Sequence, residues 1–408
     1  MYADDLVIFS TSREGLQGAM NNTASFFDNW NLNINYDKTK CMTFNRKGGN
    51  EKHQFEINGN RIKNVNVYKY LGITISSKNC SLSKTPEDLA IKANKAIFSL
   101  KSNLNLFKMP IPLLLKIFDT MILPILLYGS EIWGPSGKYD FEKWDKNEIE
   151  KIHSSLLKQI LGLNRSTQNN MVRAEFGRHP LIINIHNRTW QYIKYLKNKD
   201  NSAYAKSAYV QDAKLDQCST FQNCEKVYTE ILTKNMKKHD SLLKISKKRV
   251  KSFFKNDYET YWREKLRGST MSLTYATHKN KYEYESYLSV ITIKKHRNAL
   301  AKLRMSDHDL KIHTGRHTRP KTPRENRFCE SCRIAVEHEA HFLFDCKIDS
   351  QIKEEFFNNF VVSYPDFAEL SNNWQKYKFI MQIQDSDMLK SLGFLINLLF
   401  NNRNSNDF

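Results

Sequence analysis

The chain has 408 residues, with 63 Lys and Arg against 43 Asp and Glu, a formal charge of +20. Hydrophobic residues at 40% and aromatics at 12% suffice for real cores, which excludes disorder as the default state, while the excess of cations points to a polyanionic partner. Only 14 glycines and 9 prolines argue against a turn-rich all-β architecture and for long helices.

Tyr2-Ala3-Asp4-Asp5 opens the chain, and Asp5 to Ser10 reads as a short β-strand. Two adjacent carboxylates beside an apolar strand can hold a divalent cation at a hairpin tip for phosphoryl or nucleotidyl transfer; the competing reading is a solvated turn. Ser12 and the amphipathic run to Trp30 predict a capped helix. Alternating or β-branched residues then predict strands at Lys40 to Asn45, Gln54 to Asn58, Arg61 to Val65 and Tyr68 to Ser76, with turns at Gly48-Gly49 and Asn58-Gly59-Asn60. From Thr85 onward helical spacing takes over: Pro86 suits a first turn, Leu89, Ala93, Ala96 and Leu100 follow, and Leu113 to Leu127 and Ile149 to Leu161 continue the pattern.

Two composition shifts come later. Lys234 to Arg267 is a lysine-rich helical stretch broken by Phe253, Phe254, Tyr261 and Trp262, and Gly315 to Asn326 is a basic, proline-bearing loop. The most apolar run, Met109 to Tyr128, is interrupted by Lys116, Asp119 and three prolines, so no membrane span is expected. The first residues offer no secretory signal, and seven cysteines then read as reduced thiols or metal ligands, with the nucleus and cytoplasm as the expected, reducing compartment.

Cys329-x2-Cys332-x8-His341-x4-Cys346 presents three thiols and an imidazole at spacings that suit a tetrahedral Zn2+ site, with His338 as a rival ligand. The alternative is a surface cysteine pair with a buried Cys346 and a hydrogen-bonded His341. Lys237, Lys238, Lys244, Lys247, Lys248, Arg249, Lys251 and Lys255, and then Lys294, Lys295, Arg297, Lys302 and Arg304, form two basic helical stretches. Together with Arg316 they are candidate phosphate contacts, which predicts salt-dependent binding of RNA or DNA. The aromatics among them read first as a buried stripe and only second as a base-stacking surface. Ser246 to Lys251 also has the composition of a nuclear import signal.

In order, Asp4-Asp5, Asn35-Tyr-Asp-Lys38-Thr39-Lys40, Tyr70-Leu71-Gly72-Ile73 and Leu127-Tyr128-Gly129-Ser-Glu-Ile-Trp133-Gly134 resemble the reverse transcriptases of non-LTR retrotransposons, of the LINE-like and jockey-like kind. Leu303-Arg304, His308, Gly315-Arg316, Arg324, Arg327 and the cysteine cluster resemble the C-terminal region of the same elements. The resemblance implies that Asp4 and Asp5 hold catalytic Mg2+, that Lys38 protonates the pyrophosphate leaving group, and that Tyr70, Leu71 and Gly72 grip the primer. Gly72 has a reason of its own, since a glycine within a strand lets another backbone approach closely.

The implied partners are an RNA template and a DNA primer or target, with no membrane. The second catalytic carboxylate and the fingers would lie upstream of Met1, so the expectation is a chain truncated inside the palm and inactive alone. Its rival is a non-catalytic nucleic-acid-binding protein derived from such an element. The expected fold is an α+β remnant of a palm sheet, residues 1–80, then a mostly α-helical thumb, 81–200, and a basic connector, 201–315. A zinc-knuckle-like region with terminal helices follows, 316–408.

Overall fold

The computed structural model describes residues 4–44, 53–78, 81–134, 140–214, 220–234 and 242–405. Tyr2, Ala3, the Gly48-Gly49 turn, Lys237 and Lys238 lie outside the described residues. The chain divides into two units, 1–91 and 92–408.

In the first unit, α1 (Arg13–Asn29) starts where the Ser12 hydroxyl accepts the Gly15 N–H at 3.0 Å, the cap its sequence promised. Its inner face, Met20 and Ala24 four residues apart, packs on Cys41, Phe55, Ile57 and Ile62. These belong to a three-stranded sheet of β1 (Lys40–Cys41), β2 (Phe55–Ile57) and β3 (Asn60–Asn64), in the order β1-β3-β2 with β1 parallel and β2 antiparallel to β3. Gln17 on the helix reaches the outer edge of β2, donating to the Glu56 carbonyl at 2.6 Å and accepting its N–H at 3.2 Å, which closes an edge otherwise open to a second chain. Asn58 and Gly59 turn β2 into β3 with φ of 48° and 74°, the two-residue geometry whose twist matches the strands it joins.

Three strand expectations change. Asp5 to Ser10 is not a β-strand: among the described residues no partner strand pairs with 6–10, and a lone extended segment has no ladder to hold it. Of the expected strand Lys40 to Asn45, Asn45 lies outside the described residues, and within 40–44 only the two residues of β1 are strand. Tyr68 to Ser76 is a hairpin, β4 (Val67–Tyr70) and β5 (Ile73–Ser76), in register from Val67 with Ser76 to Tyr70 with Ile73. Leu71 and Gly72 are its turn, with φ of 45° and 80°, so Gly72 is a turn glycine rather than a point of close approach inside a strand. Thr74 of β5 is fixed to the start of α2 (Lys84–Leu104): its N–H donates to the Thr85 hydroxyl at 3.0 Å and its own hydroxyl to Asp88 at 2.5 Å.

The second unit is helical. The sequence run Leu113 to Leu127 becomes α3 (Ile111–Ile117), a π turn (Phe118–Ile122) and α4 (Leu123–Leu126), followed by α5 (Ser130–Trp133) and α6 (Phe141–Trp144). Gly134 ends α5 where a Cβ would lie 2.3 Å from both the Ser130 carbonyl and an Ile185 methyl, so only a hydrogen fits. Next come α7 (Glu148–Leu161), capped by Asn147 and ended by Gly162 at φ 62°, α8 (Asn169–Glu175) and α9 (Ile182–Asn198). α10 (Tyr204–Ala213), α11 (Thr220–Lys234) and α12 (Lys247–Arg267) follow, and α9, α11 and α12 share Trp190, His186, Tyr228 and Phe254 as a buried aromatic seam.

The remaining helices are α13 (Leu273–His278), α14 (Tyr287–Val290), α15 (Lys294–Arg304) and α16 (Lys311–Thr314), then α17 (Ser350–Ser363), α18 (Asp366–Glu369), α19 (Asn373–Met381) and α20 (Ser386–Ser405). A small β-bearing region followed by helices, with a Cys/His cluster late in the chain, is the fold class the sequence predicts. Two of the buried ionic nodes among the described residues of this unit centre on Glu150 and Glu175. Glu150 accepts from Trp144 Nε1 at 2.8 Å, Leu181 N–H at 2.7 Å and Arg173 at 3.1 Å, and lies 3.1 Å from His153; burial alone would raise its carboxyl, and these partners bring it down to about 2. Glu175 receives Arg304 through two N–H groups at 3.0 and 3.1 Å.

Candidate metal centre and nucleic-acid contacts

Cys329 and Cys332 lie on a tight loop held by the Cys329 N–H to the Ala335 carbonyl at 2.9 Å and the Arg333 N–H to the Cys329 carbonyl at 2.8 Å. A π turn, His341–Asp345, carries His341 and leads into Cys346, whose N–H closes it on the His341 carbonyl at 2.9 Å. The four ligand atoms lie within 4.8 Å of one another. Cys329 Sγ is 3.8 Å from Cys346 Sγ, and Cys332 Sγ is 3.4 Å from His341 Nε2. Zinc bond lengths in a tetrahedron imply edges of about 3.8 Å between sulfurs and about 3.6 Å between sulfur and nitrogen, so the donors stand at metal-binding separations. His338, the rival, is otherwise engaged: its Nδ1 accepts the His341 N–H at 3.0 Å and its ring packs on Trp374.

The surroundings complete the electrostatics. Burial pushes the Cys329 thiol up to about 11, whereas the backbone N–H groups of Ile334 and Ala335 overcome burial and lower that of Cys332. Three thiolates around a dication would leave one net negative charge, and the buried ammonium of Lys353 sits beside them, donating to the Cys346 carbonyl at 3.0 Å. Glu337, 3.7 Å from Cys329 Sγ, is held by Arg403 through N–H groups at 2.8 and 3.0 Å. Sequence reasoning missed Lys353, Glu337 and Arg403, whose pairing depends on helices up to 66 residues away. Gly315 has a steric reason: a Cβ there would meet the Arg327 side chain at 2.8 Å, and Arg327 crosses it to reach the Ile312 carbonyl.

In the first unit, Asp4 and Asp5 are exposed, and among the described residues they join no group of three metal-capable side chains. Lys38 is exposed on a loop whose turn is fixed by its own N–H donating to Asn35 Oδ1 at 3.0 Å. The structure links this loop to the hairpin of Tyr70, Leu71 and Gly72, because the Tyr68 hydroxyl donates to the Lys38 carbonyl at 3.2 Å.

Among the basic candidates, Lys247, Lys248, Arg249, Lys294 and Lys295 are exposed, and Lys251 and Arg316 are half-buried. Arg297 and Arg304 are buried, which corrects their reading as phosphate contacts. Arg297 donates to the Ile291 carbonyl at 3.0 Å and Arg304 to Glu175 and the Met381 carbonyl, because a guanidinium cut off from water needs protein acceptors. Phe253, Phe254 and Trp262 are buried, as the stripe reading expected, and are closed to base stacking. No helix among the described residues is long and apolar enough to cross a membrane.

Residues 1–75 match the family of reverse transcriptases (RNA-dependent DNA polymerases). Over 169 residues, 40% of this chain, the sequence is 28% identical to the RNA-directed DNA polymerase from mobile element jockey of Drosophila melanogaster. The chain spans 18% of that relative's length. No solved structure matches it. The likeness to the reverse transcriptases of non-LTR retrotransposons, drawn from the order of motifs, therefore holds.

Proposed function

We propose, from this likeness, that the chain is a reverse-transcriptase derivative that grips nucleic acid, an RNA template with its DNA primer or target, and does not polymerise by itself. The match over residues 1–75 carries the reading. The bond from Tyr68 to the Lys38 loop supports it, because it joins the lysine and hairpin motifs into one surface. Mg2+ in such enzymes stabilises the charge developing on the transferred phosphoryl group. Asp4 and Asp5, exposed and without a third acidic neighbour at ligand range among the described residues, do not fit a complete two-metal centre. No catalytic step is assigned to them.

The Cys329, Cys332, His341 and Cys346 cluster does fit its metal, and we assign it one structural zinc ion. When bound, zinc would hold a loop, a π turn and their helices together as a cross-link; the chain's own residues fix the donors through backbone hydrogen bonds and balance their charge through Lys353.

Fluorescence anisotropy with a labelled single-stranded RNA and an RNA–DNA duplex tests the grip. Binding is expected to weaken steeply between about 50 and 200 mM salt, and affinity indifferent to ionic strength would contradict it. Primer extension with Mg2+ or Mn2+ is expected to give no product above a protein-free control. Templated synthesis by the purified chain would overturn the second half of the reading.

A further inference from the structure

The first turn of α12 breaks a local rule. Helix N-termini favour acidic residues because the backbone N–H groups there are partly positive, yet Lys247, Lys248 and Arg249 occupy this turn with no acid among them. Lys247, Lys251 and Lys255 recur every four residues and so lie on one face, about 6 Å apart along the axis. None of these three lysines is ion-paired among the described residues. Lys251 is half-buried, and its ammonium is disfavoured by burial first and then by the charges of Lys255, Lys247 and Arg178, with Asp119 opposing. Glu259, four residues beyond Lys255 on the same row, lies 3.0 Å from His179, and this contact sets the Arg178–His179 segment beside the lysine face.

One carboxylate faces the group from across the packing. Asp119, 43% exposed on the π turn between α3 and α4, holds Arg178 with both oxygens, one of them at 3.0 Å. Arg178 is fixed further by the Phe118 ring beneath it and by its Nε donating to His153 at 3.3 Å. Glu259, the other acid nearby, is engaged by His179 at 3.0 Å and Arg263 at 3.7 Å. The lysine row thus lies beside an arginine whose carboxylate partner is partly exposed and open to replacement by an incoming anion.

We propose that Lys247, Lys251 and Lys255 of α12, with Arg178, form a clamp for the phosphodiester backbone of nucleic acid, and that Asp119 is a placeholder that keeps Arg178 oriented until a phosphate displaces it. This rests on the nucleic-acid-binding reading above and gives it a location. Arg178 supplies the planar two-pronged donor that suits a phosphate, and the lysines follow the chain on either side. The face selects a polyanion without reading bases, since no base-edge recognition is built into it.

The test uses the full chain and a labelled single-stranded RNA, with binding measured by anisotropy across a salt series. Each phosphate contact on a single strand contributes about 0.7 to the slope of log affinity against log salt, so K247Q/K251Q/K255Q is expected to flatten the slope by about 2. K376Q/K378Q/K390Q, which removes the same charge elsewhere in the unit, is expected to change it much less. D119N frees Arg178 and is expected to tighten binding several-fold; K251R is expected to keep wild-type binding. Thermal melts establish that the variants are folded. An unchanged slope in the α12 triple variant, equal flattening by the control triple, or weaker binding by folded D119N overturns the clamp while leaving the nucleic-acid reading standing. A wild-type chain that binds no RNA at any salt overturns both.

Discussion

A guanidinium removed from water is tolerated only if every donor finds a fixed acceptor, and Arg304 meets that condition through Glu175, Glu285 and the Met381 carbonyl. Replacing it with methionine keeps the volume but strands Glu175 without its counter-charge. R304M is expected to cost about 3–5 kcal/mol in urea unfolding, and R304M/E175Q to recover much of that loss. Buried histidines set a second residue-scale expectation. Burial lowers His186 to about 3, so the folded chain keeps it neutral while the unfolded chain protonates it below its ordinary value of 6.5. The unfolded state then binds the extra proton, and stability falls as pH drops from about 6.5 toward 3. Below about 4.5, Glu150 adds to the loss in the same direction, since its folded value near 2 keeps it ionised after the unfolded carboxyl has protonated. One such histidine is worth about 2 kcal/mol between pH 7 and 5. H186Q, which retains a partner for the Tyr228 hydroxyl 2.7 Å away, is expected to remove that share of the slope when unfolding is measured at pH 7 and pH 5.

At the scale of elements, the two short hairpins pose one backbone problem and solve it differently. Asn58 takes the left-handed first turn position, where its short polar side chain is tolerated; Leu71 takes the equivalent position at φ 45° with a bulky side chain. L71N is expected to stabilise the hairpin by about 1 kcal/mol, seen as slower hydrogen exchange at residues 67–76, and G72A to destabilise it because alanine resists φ of 80°. This contrast shows what the sequence can convey. Ser12, Pro86 and Asn58-Gly59 announce their elements because caps and turns are local chemistry, and the cysteine spacing announces the metal cluster for the same reason. A leucine in a left-handed turn carries no such signal, so the hairpin reads as one strand. Asp5 to Ser10 looks like a strand because its residues suit one, but strands exist by pairing, which is nonlocal. Arg297 and Arg304 sit in a run that looks solvated, and only the acceptors that α15 meets in the packed unit explain why they are inside.

At the scale of the whole molecule, the buried charges among the described residues nearly balance, seven Lys and Arg against five Asp and Glu, so most of the excess of 20 positive charges lies outside the buried set, where it can attract polyanions. The cysteine cluster is a junction within the second unit: Arg403 reaches it from α20, Lys353 from α17, Lys311 from α16 through its N–H to Glu337, and Trp374 from α19 through His338. In isolated zinc-finger peptides metal binding is worth about 10–16 kcal/mol because nothing else folds them. Here the ligands are already gathered by helices with cores of their own, so the metal has less order to create. Chelation is therefore expected to lower the unfolding midpoint and raise hydrogen exchange over residues 328–346 while leaving most of the helical circular dichroism signal in place. Because burial holds the Cys329 thiol near 11, it carries its proton at neutral pH, and returning zinc must release it. Calorimetric titration in buffers of different ionisation enthalpy should count that release, with about one zinc bound per chain. C329S/C332S is expected to abolish both the zinc and the proton signal. A midpoint that ignores the chelator would show that the helices alone hold the cluster and that these four side chains bind no metal.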